Sequence, residues 1–291
     1  ERKIAELAGT EHAIAVSSGT AALHLIMLAL GIKTNDEVIT SPYSFIASAN
    51  CVLYVGATPV FCDIHADDLN INPDLIESQI TEKTKAILVV HVFGTPARID
   101  RIMQVAQKHK LLVIEDSCEA IGAKANGKPV GGIGAAGTFA FYPNDDSTAN
   151  LIRSLANQGR DNSQGWLHHI HIGYNYRLSE LSCAIGDAQM ERLSSILKQR
   201  AKVAGWYGEE LKNVSELVIP NTIDLSPDSE RSWFVYVIRF KKPEQRDFVA
   251  DCLAKEGIET RPYFPSIHLQ PVYQKLFNYK SGTFPMAEAA S

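Results

Sequence analysis

The stretch 85-KAILVVHVFG-94 reads as a strand with no polar alternation. It is followed by the helical pattern 97-ARIDRIMQVAQKHK-110 and by a second apolar run, 111-LLVIED-116. A strand that is apolar on both faces must be covered on both sides, and a helix between two such strands is the crossover that keeps them parallel. The alternation continues toward the N-terminus. There, 12-HAIAVSS-18 reads as a buried strand and 20-TAALHLIMLALG-31 as a helix apolar nearly all round, closed by Gly31. Next come the strand 36-DEVITSP-42, the helix 45-FIASANCVLYVG-56 and the strand 58-TPVFCDI-64. Asn72 and Pro73 form an N-cap and first-turn pair for 74-DLIESQI-80. On the other side, 123-AKANGKPVGG-132 carries the hairpin signal Asn126-Gly127 and reads as a local β-ribbon. The class is α/β, with a mostly parallel sheet.

The pattern changes after Gly186. A long helical stretch, 187-DAQMERLSSILKQRAKVAGWYGEELKNV-214, leads into the strand 232-SWFVYVIRF-240, the helix 243-PEQRDFVADCLAKEG-257 and the strand 258-IETRPYF-264. This reads as a smaller α+β domain, 187–291, joined to a large α/β domain, 1–186. The chain opens on Glu1, and 284-FPMAEAAS-291 starts a helix with Pro285 and then stops, so both ends read as cut.

Composition narrows the function. The 291 residues are 45% hydrophobic and 21% charged, ordinary for one large or two unequal globular domains. A net charge of −5 and the absence of a basic run argue against nucleic acid as a partner. No apolar run is long enough to cross a membrane. Five cysteines (Cys51, Cys62, Cys118, Cys183 and Cys252), odd in number and without a CxxC pair, read as reduced thiols of a cytoplasmic protein.

Ligands of open α/β sheets bind at the carboxyl ends of the strands. Two places there carry possible chemistry. In 17-SSGT-20, Gly19 lets a ligand approach the backbone, and the helix start offers free N–H groups to an anion. The commoner use of such a stretch is a plain strand-to-helix turn with Thr20 as N-cap. Asp116 ends an apolar strand beside Glu115, where a carboxylate loses water and needs a cationic partner; a protonated pyridine nitrogen is one, and a helix cap is the competing role. His268 lies in the Pro-bracketed loop 262-PYFPSIHLQP-271, as a turn histidine or, given its aromatic company, a cleft residue. His168, His169 and His171 lack a framework of further ligands and read as surface or interface residues, so no metal site is expected. There is no GxSxG, HExxH or Walker sequence.

Seven stretches in order, AVSSGTAALHL, DEVITSPYSFIASAN, VIEDSCEAIGA, GTFAFYPN, SLANQGRD, GYNYRLSELSCAIG and RPYFPSIHLQPVY, make the chain resemble the DegT/DnrJ/EryC1/StrS family of pyridoxal-phosphate-dependent sugar aminotransferases. The resemblance covers nearly the whole chain. It implies a type I aminotransferase fold and an active homodimer with shared sites. It also implies transfer of an amino group, typically from glutamate, to a keto group of a nucleotide-linked sugar. By motif match Gly19 and Thr20 hold the cofactor phosphate, Phe45 stacks on the pyridine ring and Asp116 pairs with the ring nitrogen. Glu119 stands where the family often has Gln or His, near the ring's hydroxyl side. Asn175 reaches the phosphate of the neighbouring subunit, and Arg177 and His268 are candidate substrate contacts. Ala140 replaces a phosphate-binding Ser of many relatives. No matched pair of arginines suited to a dicarboxylate is visible.

One departure matters most. In the family, FYPN or its equivalent is followed by the lysine that holds the cofactor, then a loop and a strand, and only then the helix. Here Asn144 is followed directly by Asp145, and DDSTANLIRSLANQG is already that helix. The gap is on the order of a dozen residues, the size of a functional loop with some strand. The reading favoured is a lysine-bearing segment that belongs between Asn144 and Asp145. It predicts chain ends there farther apart than the about 3.8 Å of one trans peptide. A true deletion competes. It would leave a non-catalytic homologue that binds sugar nucleotides or regulates. A histidine in the lysine's place would make a sugar dehydratase of the same family.

Overall fold

The computed structural model describes residues 1–138, 142–143, 146–161, 168–220 and 225–291. Ala140 and the Asn144–Asp145 junction, with the chain separation expected there, lie outside the described residues.

The elements run α1 (Arg2–Ala8), α2 (Gly19–Ala29), β1 (Glu37–Thr40), α3 (Ala47–Tyr54), β2 (Thr58–Phe61), α4 (Pro73–Ile76), β3 (Thr84–Val90), α5 (Ile99–His109) and β4 (Leu112–Asp116). The ribbon β5 (Lys124–Ala125) and β6 (Lys128–Pro129) follows, then β7 (Ala136–Thr138), β8 (Tyr142–Pro143) and α6 (Asp146–Ala156). The C-terminal part holds α7 (Glu180–Leu211), β9 (Leu217–Val218), β10 (Arg239–Phe240), α8 (Glu244–Lys255), α9 (Pro271–Phe277) and α10 (Pro285–Ala290).

The sheet order is β2-β1-β3-β4-β7-β8, parallel throughout except for β8, which pairs antiparallel with β7. β3 shows why its sequence is apolar without alternation. Ala86, Leu88 and Val90 pack with Leu23 and Ile26 of α2 and Val52 of α3. Ile87 and Val89 pack on the other face with Ile99, Ile102 and Ala106 of α5. Burying each large aliphatic side chain contributes roughly 1.5–3 kcal/mol, so a polar residue on either face would lose more than strand propensity could return. α2 is covered all round, every residue from Ala21 to Met27 being buried. The Asn126-Gly127 signal holds: both residues have positive φ, 47° and 75°, as a two-residue hairpin turn requires.

Several boundaries differ from the sequence reading. Residues 12–18 form no continuous strand among the described residues; Ile14 and Val16 are isolated bridge residues, Val16 antiparallel to Arg177, and Ser17 N donates to Tyr176 O at 2.7 Å. The cap of α2 is Ser18, not Thr20, its Oγ accepting from Ala21 N at 3.1 Å. α7 starts at Glu180 rather than after Gly186, because Ser179 Oγ accepts from Ser182 N at 3.2 Å and sets the first turn. Of 232–240 only Arg239–Phe240 pairs, with Leu217–Val218. Trp233, at φ 52°, turns the chain out of extended geometry before a ladder can form. Residues 258–264 form no strand and pair with none among the described residues.

Candidate active site

The carboxyl end of β4 carries two carboxylates that leave the strand in opposite directions. Glu115, completely buried, accepts from Gly131 N at 2.8 Å and from Ile133 N and Gly134 N, both at 2.7 Å. His91 Nε2 lies 3.1 Å away on the same carboxylate, and His91 Nδ1 accepts from Ala97 N at 3.0 Å. That second bond fixes the tautomer. Nδ1 is the acceptor, so Nε2 carries the proton and donates it to Glu115. Burial alone would raise the Glu115 carboxyl, but the bond from His91 and the backbone N–H groups hold it below the ordinary value.

Asp116 is also buried, but its partners are of another kind. The parallel register sets Asp116 beside Thr138 on β7, and Thr138 Oγ1 donates to Asp116 Oδ1 at 3.2 Å. Ser48, in the first turns of α3, donates from Oγ to Asp116 Oδ2 at 2.8 Å. A hydroxyl has one proton, so the 2.9 Å contact between Ser44 Oγ and Ser48 Oγ is a donation from Ser44 to Ser48. Cys118 N supplies a longer bond to Oδ1, 3.3 Å. These donors accumulate on one carboxylate because β1 runs into α3 and β4 into the 117–120 turn at the same sheet edge.

Around this carboxylate the structure gathers further residues of the sequence reading. A Cβ on Gly19 would stand 2.6 Å from Cys118 Sγ, so a side chain there would require the Cys118 thiol to move aside where the start of α2 sits against the end of β4. Ser17 to Gly19 are exposed, which leaves the α2 N-terminus open to an anion. Phe45 follows the β1 strand end, next to the buried Ser44, and exposes 61% of its surface, unusual for a phenylalanine beside the core. Glu119 Oε2 accepts from Phe93 N at 2.9 Å. Burial pushes the Glu119 carboxyl up to about 7, with the charge of Asp116 adding to the rise against the bond from Phe93.

Asn175 and Arg177 sit on an extended segment that threads between α6 and the start of α2. Tyr174 N donates to Leu155 O at 2.6 Å and Tyr176 N to Ala156 O at 3.0 Å. The segment alternates. Tyr174 and Tyr176 turn inward onto His24, at 4.9 and 6.0 Å between ring centroids, while Asn175 and Arg177 are exposed. Arg177 Nη1 donates to Asn157 Oδ1. His268 is placed differently from a cleft residue: its side chain is fully buried, with Nε2 3.0 Å from Glu288 Oε1 and the ring edge-on to Phe284 at 4.8 Å. Glu288, held down to about 2, also accepts from Gly282 N, Ser281 Oγ and Phe284 N, and so ties down the 281–284 turn.

Sequence reasoning missed Ser48, Thr138 and His91. Their only signal was polarity inside apolar stretches: Ser48 in FIASANCVLYVG and His91 in KAILVVHVFG. Among the described residues no group of three or more His, Cys, Asp or Glu side chains is placed to hold a metal ion. None of their helices is long and apolar enough to cross a membrane.

A model of the DegT/DnrJ/EryC1/StrS aminotransferase family matches residues 1–291. The GDP-perosamine synthase of Caulobacter vibrioides is 38% identical over 95% of this chain and 78% of its own length. The UDP-N-acetyl-3-dehydro-α-D-glucosamine 3-aminotransferase of Acidithiobacillus ferrooxidans is 38% identical over 99% of this chain and 79% of its own. The structure of DesV from S. venezuelae, 32% identical, superposes with a TM-score of 0.92 over 100% of this chain and 80% of that one. The chain belongs to the DegT/DnrJ/EryC1/StrS aminotransferase family. It is an aminotransferase that depends on pyridoxal phosphate.

The residues present fit that cofactor. Asp116 is a buried carboxylate that accepts bonds from Ser48, Thr138 and Cys118 N and keeps acceptor capacity for a cationic N–H. Gly19 leaves a bare backbone at a helix start, and Phe45 offers an open aromatic face.

Proposed function

We propose that this protein moves an amino group from glutamate to the keto group of a nucleotide-linked sugar. It would act as a cytoplasmic homodimer with shared active sites. The printed activities of the Caulobacter and Acidithiobacillus relatives support the substrate class. The observation that carries the site is the Asp116 carboxylate, buried at the end of β4 and held by Ser48 and Thr138. Bound pyridoxal phosphate supplies the electron sink for amino transfer. Asp116 keeps a proton on the pyridine nitrogen, and Ser48 and Thr138 hold the Asp116 side chain in place. Gly19 and Thr20 bind the phosphate at the α2 N-terminus, and Phe45 covers the ring. Glu119 sits near neutrality in its own titration and exchanges a hydrogen bond with the ring's hydroxyl side. Asn175 reaches across to the partner's phosphate, which its exposure on the outer edge of the 174–177 segment supports. Arg177 and His268 complete the candidate substrate set, His268 through its bond to Glu288, which ties down the 281–284 turn. The division into domains at 186/187, inside α7, belongs to the same proposal.

The cofactor-holding lysine belongs between Asn144 and Asp145. The alignment with the Acidithiobacillus enzyme supports a missing segment: it runs over 303 positions, more than the 291 residues of this chain. One observation favours a second reading. No lysine occurs from residue 129 to residue 197, so a truly lysine-free junction would leave the family's dehydratase chemistry or a non-catalytic binding protein. The test is borohydride reduction of the protein expressed from its own gene and loaded with pyridoxal phosphate, followed by peptide mapping. A cofactor-modified lysine in the peptide joining Asn144 to Asp145 establishes the aminotransferase reading. A junction peptide in which Asn144 is joined directly to Asp145 and carries no cofactor overturns it.

A further inference from the structure

We infer that the cleft between the β3–α5 connection and the C-terminal segment is a binding subsite for an oxyanion, a carboxylate or phosphate group held by Arg231 and Arg239. The cleft has a volume of about 460 Å³, and its walls include Asp68, Phe93, Arg98, Arg231, Trp233 and Arg239. That is the size of a small-molecule site. Nothing in the aminotransferase reading uses it.

The arginines differ in what they already hold. Arg98 is matched: its Nε lies 3.0 Å from Asp68 Oδ2. Arg231 is not. Its Nη1 donates to Pro220 O and its guanidinium lies 5.2 Å from the Trp233 ring centre, but Nε and Nη2 are buried with no hydrogen-bond partner among the described residues. Those two nitrogens form one edge of the guanidinium, with parallel N–H bonds spaced to meet two oxygens of one carboxylate or phosphate. Leaving both donors dry and unpaired is costly, and a bidentate oxyanion removes the cost. Burial lowers Arg231 to about 10, so it stays cationic at neutral pH. Arg239, whose backbone pairs with Val218, lines the same cleft, and its guanidinium has no hydrogen bond or ion pair among the described residues. Two acids share the wall: Asp68 pairs with Arg98 and also acts on Arg231, and the largely exposed Asp67 acts on Arg239, so three arginines face two carboxylates and a net positive charge is left for an anion.

The backbone around the cleft is strained where a ligand clamp would need it. Phe93 and Trp233, both in the cleft wall, have φ 57° and 52°, a left-handed conformation that bulky residues avoid. Gly94 permits the close crossing: a Cβ there would meet Ser232 Oγ at 2.6 Å and Trp233 N at 3.0 Å, and Ser232 N donates to Gly94 O at 3.0 Å. Phe93 also donates its N–H to Glu119, which connects the cleft wall to the residues around Asp116.

Two sources share this chemistry: the diphosphate of a nucleotide-linked sugar and a carboxylate of the amino donor. Choosing between them rests on the proposed function; the existence of the subsite does not. The test is calorimetric titration of the full chain, loaded with pyridoxal phosphate, with inorganic pyrophosphate and separately with glutarate. One probe binds, and Arg231→Gln and Arg239→Gln each weaken it roughly tenfold or more, with the cofactor absorbance unchanged. Binding of pyrophosphate assigns the sugar nucleotide; binding of glutarate assigns the donor. Should Arg231→Gln fail to fold, Arg239→Gln with unaltered thermal unfolding decides. Binding of neither probe, or binding indifferent to both arginines, overturns the subsite. If no lysine is modified in the borohydride experiment while the titrations behave as expected, the aminotransferase reading falls and the subsite stands.

Discussion

Glu115 and Asp116 are neighbours on one strand, both buried, both acidic, and the fold treats them in opposite ways. Glu115 receives three backbone N–H groups and the Nε2–H of His91, which fills the roughly four acceptor positions of a carboxylate. Asp116 receives two hydroxyls and one long amide bond. Hydroxyl protons rotate, whereas backbone donors are fixed by the chain. A carboxylate saturated by backbone donors is a structural tie, here binding the 131–134 turn to β4. One held by hydroxyls with capacity to spare suits a ligand. Strand geometry supplies the division, since successive side chains leave to opposite faces of the sheet.

The comparison breaks most sharply at Glu115. Glu115→Ala leaves three buried N–H groups and the His91 donor without an acceptor, and is expected to cost about 3–5 kcal/mol in urea unfolding. A loss under about 1 kcal/mol, the scale of an ordinary surface change, would remove the structural role. Asp116→Asn is expected to do the reverse. Turnover should fall about 10²–10⁴-fold, the span of a lost proton-holding group, with the unfolding curve nearly in place. Near-normal turnover in a full-length chain would end the assignment.

Ser48→Ala sharpens the contrast. Removing one hydroxyl bond to a charged group is worth about 1.5–3 kcal/mol, so turnover should drop by about tenfold or more, and Ser44→Ala should cost less because it acts through Ser48. Equal effects of the two would contradict the donor direction assigned from Ser44 to Ser48.

The smallest effect concerns Glu119. Its folded value, about 7, is raised above the ordinary 4.5, so the folded state holds a proton that the unfolded state has released between those values. This group therefore contributes stability that is fully present below pH about 4.5 and is lost as pH rises through about 7. Glu119→Gln should flatten thermal stability over that window and make the protein relatively more stable at pH about 8. An unchanged pH profile would mean that Glu119 titrates normally.

Much of the large domain was legible from local pattern. KAILVVHVFG and LLVIED declared their parallel, doubly covered strands, and Asn126-Gly127 its hairpin, because each depends on residues close in the chain. The C-terminal strands were not. SWFVYVIRF has strand composition, yet the left-handed turn at Trp233 and its close crossing over Gly94 leave only Arg239–Phe240 paired. Composition reports what a residue tolerates; the neighbouring backbone decides what it does.

At the site, the sequence by itself determined Asp116 at a strand end, Gly19 at a helix start and the family motifs around them. Tertiary structure alone decided which donors meet which acid. Ser48 and Asp116 are 68 residues apart, and they meet because β1 and β4 both end at one sheet edge. Thr138 stands beside Asp116 only through the register of β4 with β7. Arg231 and Arg239 share a cleft with Phe93 only because the C-terminal segment crosses the β3–α5 connection. Periodicity fixes which face a side chain takes within its own element. Strand order, register and crossing fix what lies opposite, and those come from burying many apolar faces at once, which no single stretch of sequence records.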